Sequence, residues 1–155
     1  TYDYNNNAVK TRSNLGAYME TDTGFHETDI YTLFIDAMFK YKGFSFMGEY
    51  ANRDAKDPVA LNSDGTSTGD VVEEGSAVNL QAGYLFQNNY EIAASFTTLD
   101  FNALTMKDAR NQYTIGVSKY IVGHKLKVQS DISYVTVEKS PDSELMYRLQ
   151  FELHL

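Results

Sequence analysis

A period of two restricts the fold of this chain more than any other feature. In the last stretch, ELMYRLQFELHL, the residues Leu145, Tyr147, Leu149, Phe151, Leu153 and Leu155 are all apolar, and between them stand Met146, Arg148, Gln150, Glu152 and His154. Successive side chains of a strand point to opposite faces, so this is a strand with one apolar and one polar face. Six earlier segments repeat the pattern. DIYTLFIDAMFKY sets Tyr31, Leu33, Ile35, Ala37, Phe39 and Tyr41 against Thr32, Asp36 and Lys40, and KGFSFMGEYAN sets Phe44, Phe46, Gly48 and Tyr50 against Ser45, Met47 and Glu49. SAVNLQAGYLFQ sets Val78, Leu80, Ala82, Tyr84 and Phe86 against Asn79, Gln81 and Gly83. Tyr90, Ile92, Ala94 and Phe96 then oppose Glu91, Ser95 and Thr97, while Tyr113, Ile115 and Val117 oppose Gln112, Thr114, Gly116 and Ser118. In HKLKVQSDISYVTVEK, Leu126, Val128, Ile132 and Tyr134 oppose Lys125, Lys127, Gln129, Asp131 and Ser133. A helical period fits none of these segments, and the expectation is an all-β, antiparallel fold.

Each segment is near the roughly 9 to 11 residues that a tilted membrane-spanning strand needs. Tight turns are expected at Tyr41-Lys42-Gly43, Gln87-Asn88-Asn89 and Val122-Gly123-His124, each with a Gly or Asn able to take positive φ. Longer polar loops separate them, roughly Arg53 to Gly75, Asp100 to Arg110 and Glu138 to Glu144. Short turns at one end and long loops at the other describe an outer-membrane β-barrel with periplasmic turns.

A soluble barrel would carry the same alternation with its apolar face turned inward. Three features favour lipid instead. Tyr31, Tyr41, Tyr50, Tyr84, Tyr90, Tyr113, Tyr134 and Tyr147 lie on the apolar stripes and cluster towards strand ends, as interfacial aromatic girdles do. Only Asp29 and Lys119, both at strand ends, put a charge on an apolar stripe. Seven strands do not make a usual closed bacterial barrel, and an open sheet would strand its apolar stripes. The expected strands and short turns hold Lys40, Lys42, Lys119, Lys125, Lys127 and Arg148 against Asp29, Asp36, Glu49, Glu91, Asp131 and Glu152, so the net charge of −8 falls in the long loops and the N-terminal stretch.

Composition removes other classes. The acidic balance argues against a nucleic-acid surface, which needs clustered Lys and Arg. There is no cysteine, and the 155 residues are enough to bury a core without disulfide or metal staples. No apolar run approaches the roughly 18 to 20 residues of a membrane helix. TYDYNNNAVK lacks both an initiator Met and the apolar core of a signal peptide, so the start is mature, processed or truncated.

The stretches DAMFKYKGFSFMGEY, NLQAGYLFQNNYEIAASFTTLD, YTIGVSKYIVGHKLKVQSDISY and ELMYRLQFELHL resemble the C-terminal part of phosphate-selective porin O/P family proteins, in the versions found in Bacteroides- and Flavobacterium-like bacteria. The resemblance covers Glu27 to Leu155 and rests on consecutive strand-turn-strand units. It implies a sixteen-stranded barrel in the outer membrane of a Gram-negative bacterium, a homo-trimer that passes small anions such as phosphate. This chain would be its C-terminal seven or eight strands, and roughly 200 further residues would precede Thr1, as strands of about 10 residues require. Residues 1–27 would be an extracellular loop, with a partial eighth strand within AVKTRSNLGAYM, and residues 28–155 the barrel segment. Two departures from the family stand out: the lumen-side cations are diluted by five carboxylates, and Leu155 stands where the last strand usually ends in an aromatic residue.

On this reading Asp36, Lys40, Glu49, Glu91, Lys125, Lys127, Asp131, Arg148 and Glu152 line a pore. Antiparallel pairing would bring His154 and Glu152 near Lys125 and Lys127, forming either a solute-binding step or an ordinary ladder in which Lys127, Asp131 and Glu152 neutralise one another. NSDGTSTGDVVEEG spaces oxygens at Asn62, Asp64, Thr66, Thr68, Asp70 and Glu73 much as a calcium loop does, but Ser67 replaces the required Gly and no helices flank it, so a flexible acidic loop is the plainer reading. His26, His124 and His154 are too scattered for zinc, and no nucleophile elbow is present. No enzyme and no cofactor are therefore expected. The expected function is passive diffusion of small hydrophilic solutes. A non-conducting barrel that docks other envelope components, and a soluble ligand-binding barrel, are the other readings.

Overall fold

The computed structural model describes residues 19–105, 107–122, 125–140 and 143–153. Among these residues eleven strands run in chain order: β1 (Glu20–Thr21), β2 (Gly24–Phe25), β3 (Ile30–Tyr41), β4 (Phe44–Ala55), β5 (Val59–Leu61), β6 (Ser67–Val71), β7 (Gly75–Leu85), β8 (Tyr90–Phe101), β9 (Arg110–Tyr120), β10 (Leu126–Val137) and β11 (Ser143–Leu153). One short 3-10 turn, Ala103–Thr105, precedes β9. All seven alternating segments are strands of 11 or 12 residues. They join into one sheet in the order β11-β10-β9-β8-β7-β4-β3, and among the described residues its two edge strands are not paired with each other. The fold is all-β and antiparallel.

The turns follow from their residues. Lys42 (φ 45°) and Gly43 (φ 87°) both take positive φ, the two-residue hairpin whose twist matches the flanking strands. Asn89 (φ 62°) ends a three-residue turn closed between Phe86 and Tyr90. In the third turn Gly123 and His124 lie outside the described residues, but Ile121 N–H donating to Leu126 O at 2.8 Å closes the hairpin.

Contacts divide the chain into two compact units. The larger holds Leu33–Asn52, Ser76–Asp100 and Asp108–Leu155, the body of the seven strands. The smaller gathers the described residues up to Thr32 with Arg53–Gly75 and Phe101–Lys107. The segment read as one long loop from Arg53 to Gly75 is more ordered than expected, because β4 runs on to Ala55 and β5 and β6 form a hairpin. Its small core is Ala60, Val72 and the buried carboxylate of Glu74. Glu74 accepts from the Ala55 N–H at 2.6 Å and from Asn102 Nδ2 at 2.8 Å, tying three separate stretches of chain together. The partial strand expected within residues 8 to 19 falls almost wholly outside the described residues.

Candidate functional site

Which face of the seven-stranded sheet is enclosed decides what the sheet is for. Along β10 the residues alternate, and it is the polar side that is covered: Asp131 is 4% exposed and Ser133 1%, while the intervening Ile132 is 46% exposed. β9 agrees, with Ser118 at 6% against Ile115 at 58%, whereas the edge strands β3 and β11 are largely exposed on both sides. A water-soluble sheet buries its apolar face, since burial of that area drives folding. Here the order is inverted.

Pairing brings the polar residues into rows across the strands. Gly116 pairs with Asp131 and Asp131 with Arg148. Arg148 Nε donates to both Asp131 oxygens at 3.2 and 3.1 Å, and its Nη2 donates to Oδ1 at 3.0 Å, a two-pronged ion pair that neutralises the covered carboxylate. Lys127 pairs with Tyr120 on one side and with Glu152 on the other. Its ammonium lies 5.3 Å from the centre of the Tyr120 ring, and the Tyr120 hydroxyl donates to Glu91 at 2.6 Å. Glu49 accepts from Asn79 Nδ2 at 2.7 Å, and the Asn79 oxygen accepts from Thr97 at 3.1 Å. Thr114 and Ser133 share a hydrogen bond of 2.7 Å.

Eight of the nine residues expected on the polar wall, Asp36, Lys40, Glu49, Glu91, Lys127, Asp131, Arg148 and Glu152, fall on strands. Lys125 lies in the turn just before β10, and His154 is outside the described residues. Asp131 bonds Arg148 rather than Lys127. Sequence reading passed over Phe34 and Met38, which alternate with Asp36 on the polar side of β3 and are exposed. It also passed over Tyr120, whose even position on β9 places it on that side.

On the apolar side all eight tyrosines expected at the membrane interface are exposed. Tyr113 pairs with Tyr134, and the Phe96 and Tyr113 rings lie 5.1 Å apart, making one aromatic band. Tyr84 and Phe86, 4.9 Å apart, and Tyr90, under the Lys119 ammonium at 3.8 Å, lie next to the short turn after β7. Phe96 stands six positions along β8 from Tyr90, roughly 20 Å of strand. Tyr147 departs from the expected pattern, because it pairs with Ile132 in the middle of that span. Ser130 donates to its hydroxyl at 3.0 Å, so two polar groups on the apolar side satisfy each other.

The oxygens of the candidate calcium loop are not gathered. Asp64 accepts from the Thr66 hydroxyl at 2.6 Å and the Thr66 N–H at 2.9 Å, which hold its carboxyl below the usual carboxylate range. Asn62 binds Thr66 and the Asp22 N–H, Asp70 lies on β6, and Glu73 pairs with Lys107. Among the described residues no three His, Asp or Glu side chains are grouped to hold a metal.

Set beside family models, curated proteins and solved structures, the chain matches none of them.

Proposed function

We propose that this chain is part of an outer-membrane porin of a Gram-negative bacterium, through which small hydrophilic solutes diffuse passively. The observation that carries the reading is the inverted sheet. Seven antiparallel strands of 11 or 12 residues expose apolar side chains on one side, and the interior strands β9 and β10 cover polar residues on the other, as the wall of a transmembrane barrel does between lipid and water. Aromatic residues stand in two bands on the apolar side, roughly 20 Å apart along the strand, in the manner of the two interfacial girdles of such barrels. The two open edges, β3 and β11, would be closed by further strands, which the resemblance to phosphate-selective porin O/P proteins would supply as the first part of a sixteen-stranded barrel.

In such a pore no bond is made or broken. Selection comes from width and from charge along the wall. Purified full-length protein added to a planar bilayer should give stepwise, ohmic conductance. Absence of any conductance from folded, inserted protein would remove the reading.

A further inference from the structure

The resemblance to an anion-passing family raises the question of which charges on this wall are left uncancelled. Thr97 pairs with Gln112, Gln112 with Val135 and Val135 with Glu144. The hydrogen bonds from Thr97 to Asn79 and from Asn79 to Glu49 extend the same row across β7 to β4. The two-residue turn Lys42-Gly43 pairs Tyr41 with Phe44, and counting back five residues on both strands sets Asp36 opposite Glu49. One row therefore crosses the polar wall from edge to edge with three carboxylates, Asp36, Glu49 and Glu144, and no cation within it.

Asp36 and Glu49 face each other, an arrangement that is unfavourable unless water or a mobile cation screens it. Among the described residues neither makes an ion pair, and Glu49 receives only the neutral Asn79. Among the described residues the one cation that reaches the row is Arg110 of the adjoining row, 3.6 Å from Glu144 and half exposed. Lys40, on the same side of β3 as Asp36, is four residues away, roughly 13 Å along the strand. Elsewhere the charges cancel more fully: Asp131 is held by Arg148, and Lys127 lies opposite Glu152.

We propose that this row makes the pore prefer small cations to anions, with Asp36 and Glu49 as the residues that set the preference. Rings of Asp and Glu do this in cation channels by raising the local concentration of counter-ions, without any ion being bound. The proposal rests on the porin reading and fixes the class of solute within it.

The test is the reversal potential of the full-length protein in a planar bilayer under a potassium chloride gradient, for wild type and for the double variant Asp36→Asn/Glu49→Gln. Wild type should be cation-selective. The double variant should lower the cation-to-anion permeability ratio by roughly twofold per carboxylate, the scale of a unit charge acting across several ångströms of water. Wild-type anion selectivity, or a conducting double variant with an unchanged ratio, would overturn the proposal and leave the porin reading intact. The wild-type measurement decides by itself if the variant fails to assemble, and absence of all conductance would remove the porin reading and this proposal together.

Discussion

Asp131 lies against Gly116, where an added Cβ would sit 3.1 Å from the Asp131 Cβ and 3.3 Å from the Ser130 carbonyl. The glycine leaves room for a short carboxylate to lie close to the sheet, and Arg148 reaches over from the next strand to pair with it. Removing the guanidinium would leave a covered charge without its partner, which costs more than replacing both groups. Arg148→Ala should therefore lower the urea midpoint of the folded protein, and adding Asp131→Asn to it should recover much of the loss. A double variant no more stable than Arg148→Ala would contradict this account of the pair. None of this was legible in the one-dimensional pattern. Asp131 and Arg148 could both be assigned to the polar face, but which cation meets which carboxylate depends on register, and alternation leaves register open.

The strands themselves were legible because a lipid-facing or core-facing stripe needs a side chain every second residue, whichever solvent it meets. Their ends were less so. β4 runs on through Arg53-Asp54-Ala55, where polar residues sit on both sides, and β8 through Thr98 to Phe101, where Thr98 and Asp100 fall on the stripe and Leu99 and Phe101 opposite it, so the pattern is lost although the strands continue. The β5–β6 hairpin escaped for the same reason, since Ser67 to Val71 carries almost no apolar alternation. Turns were legible where the backbone demanded a particular residue. At Gly43 φ is 87°, and an added Cβ would come within 2.6 Å of the Leu85 carbonyl, so both conformation and space exclude a side chain. Gly43→Ala should cost about 2 kcal/mol or more of stability, while Lys42→Asn, which creates the favoured Asn-Gly turn, should gain about 0.5 kcal/mol. Denaturant unfolding of both variants checks the pair of expectations, and equal effects would mean that the turn does not fix this hairpin.

At the scale of the molecule, one question governs the rest: whether the exposed apolar side of the sheet meets lipid while the covered polar side meets water. These 155 residues hold no cysteine, and once any cysteine elsewhere in the full-length protein is replaced by serine, single cysteines report cleanly on each position. Four consecutive sites on β11, Arg148, Leu149, Gln150 and Phe151, alternate between the two sides. The account predicts that, in full-length protein reconstituted into liposomes, Arg148→Cys and Gln150→Cys react with a membrane-impermeant maleimide. Leu149→Cys and Phe151→Cys should be shielded from it, and bimane attached to them before reconstitution should be quenched by lipids carrying a nitroxide on the acyl chain. The opposite alternation, with the cysteines at 149 and 151 open to water and those at 148 and 150 protected, would contradict the membrane reading and return the sheet to a soluble fold.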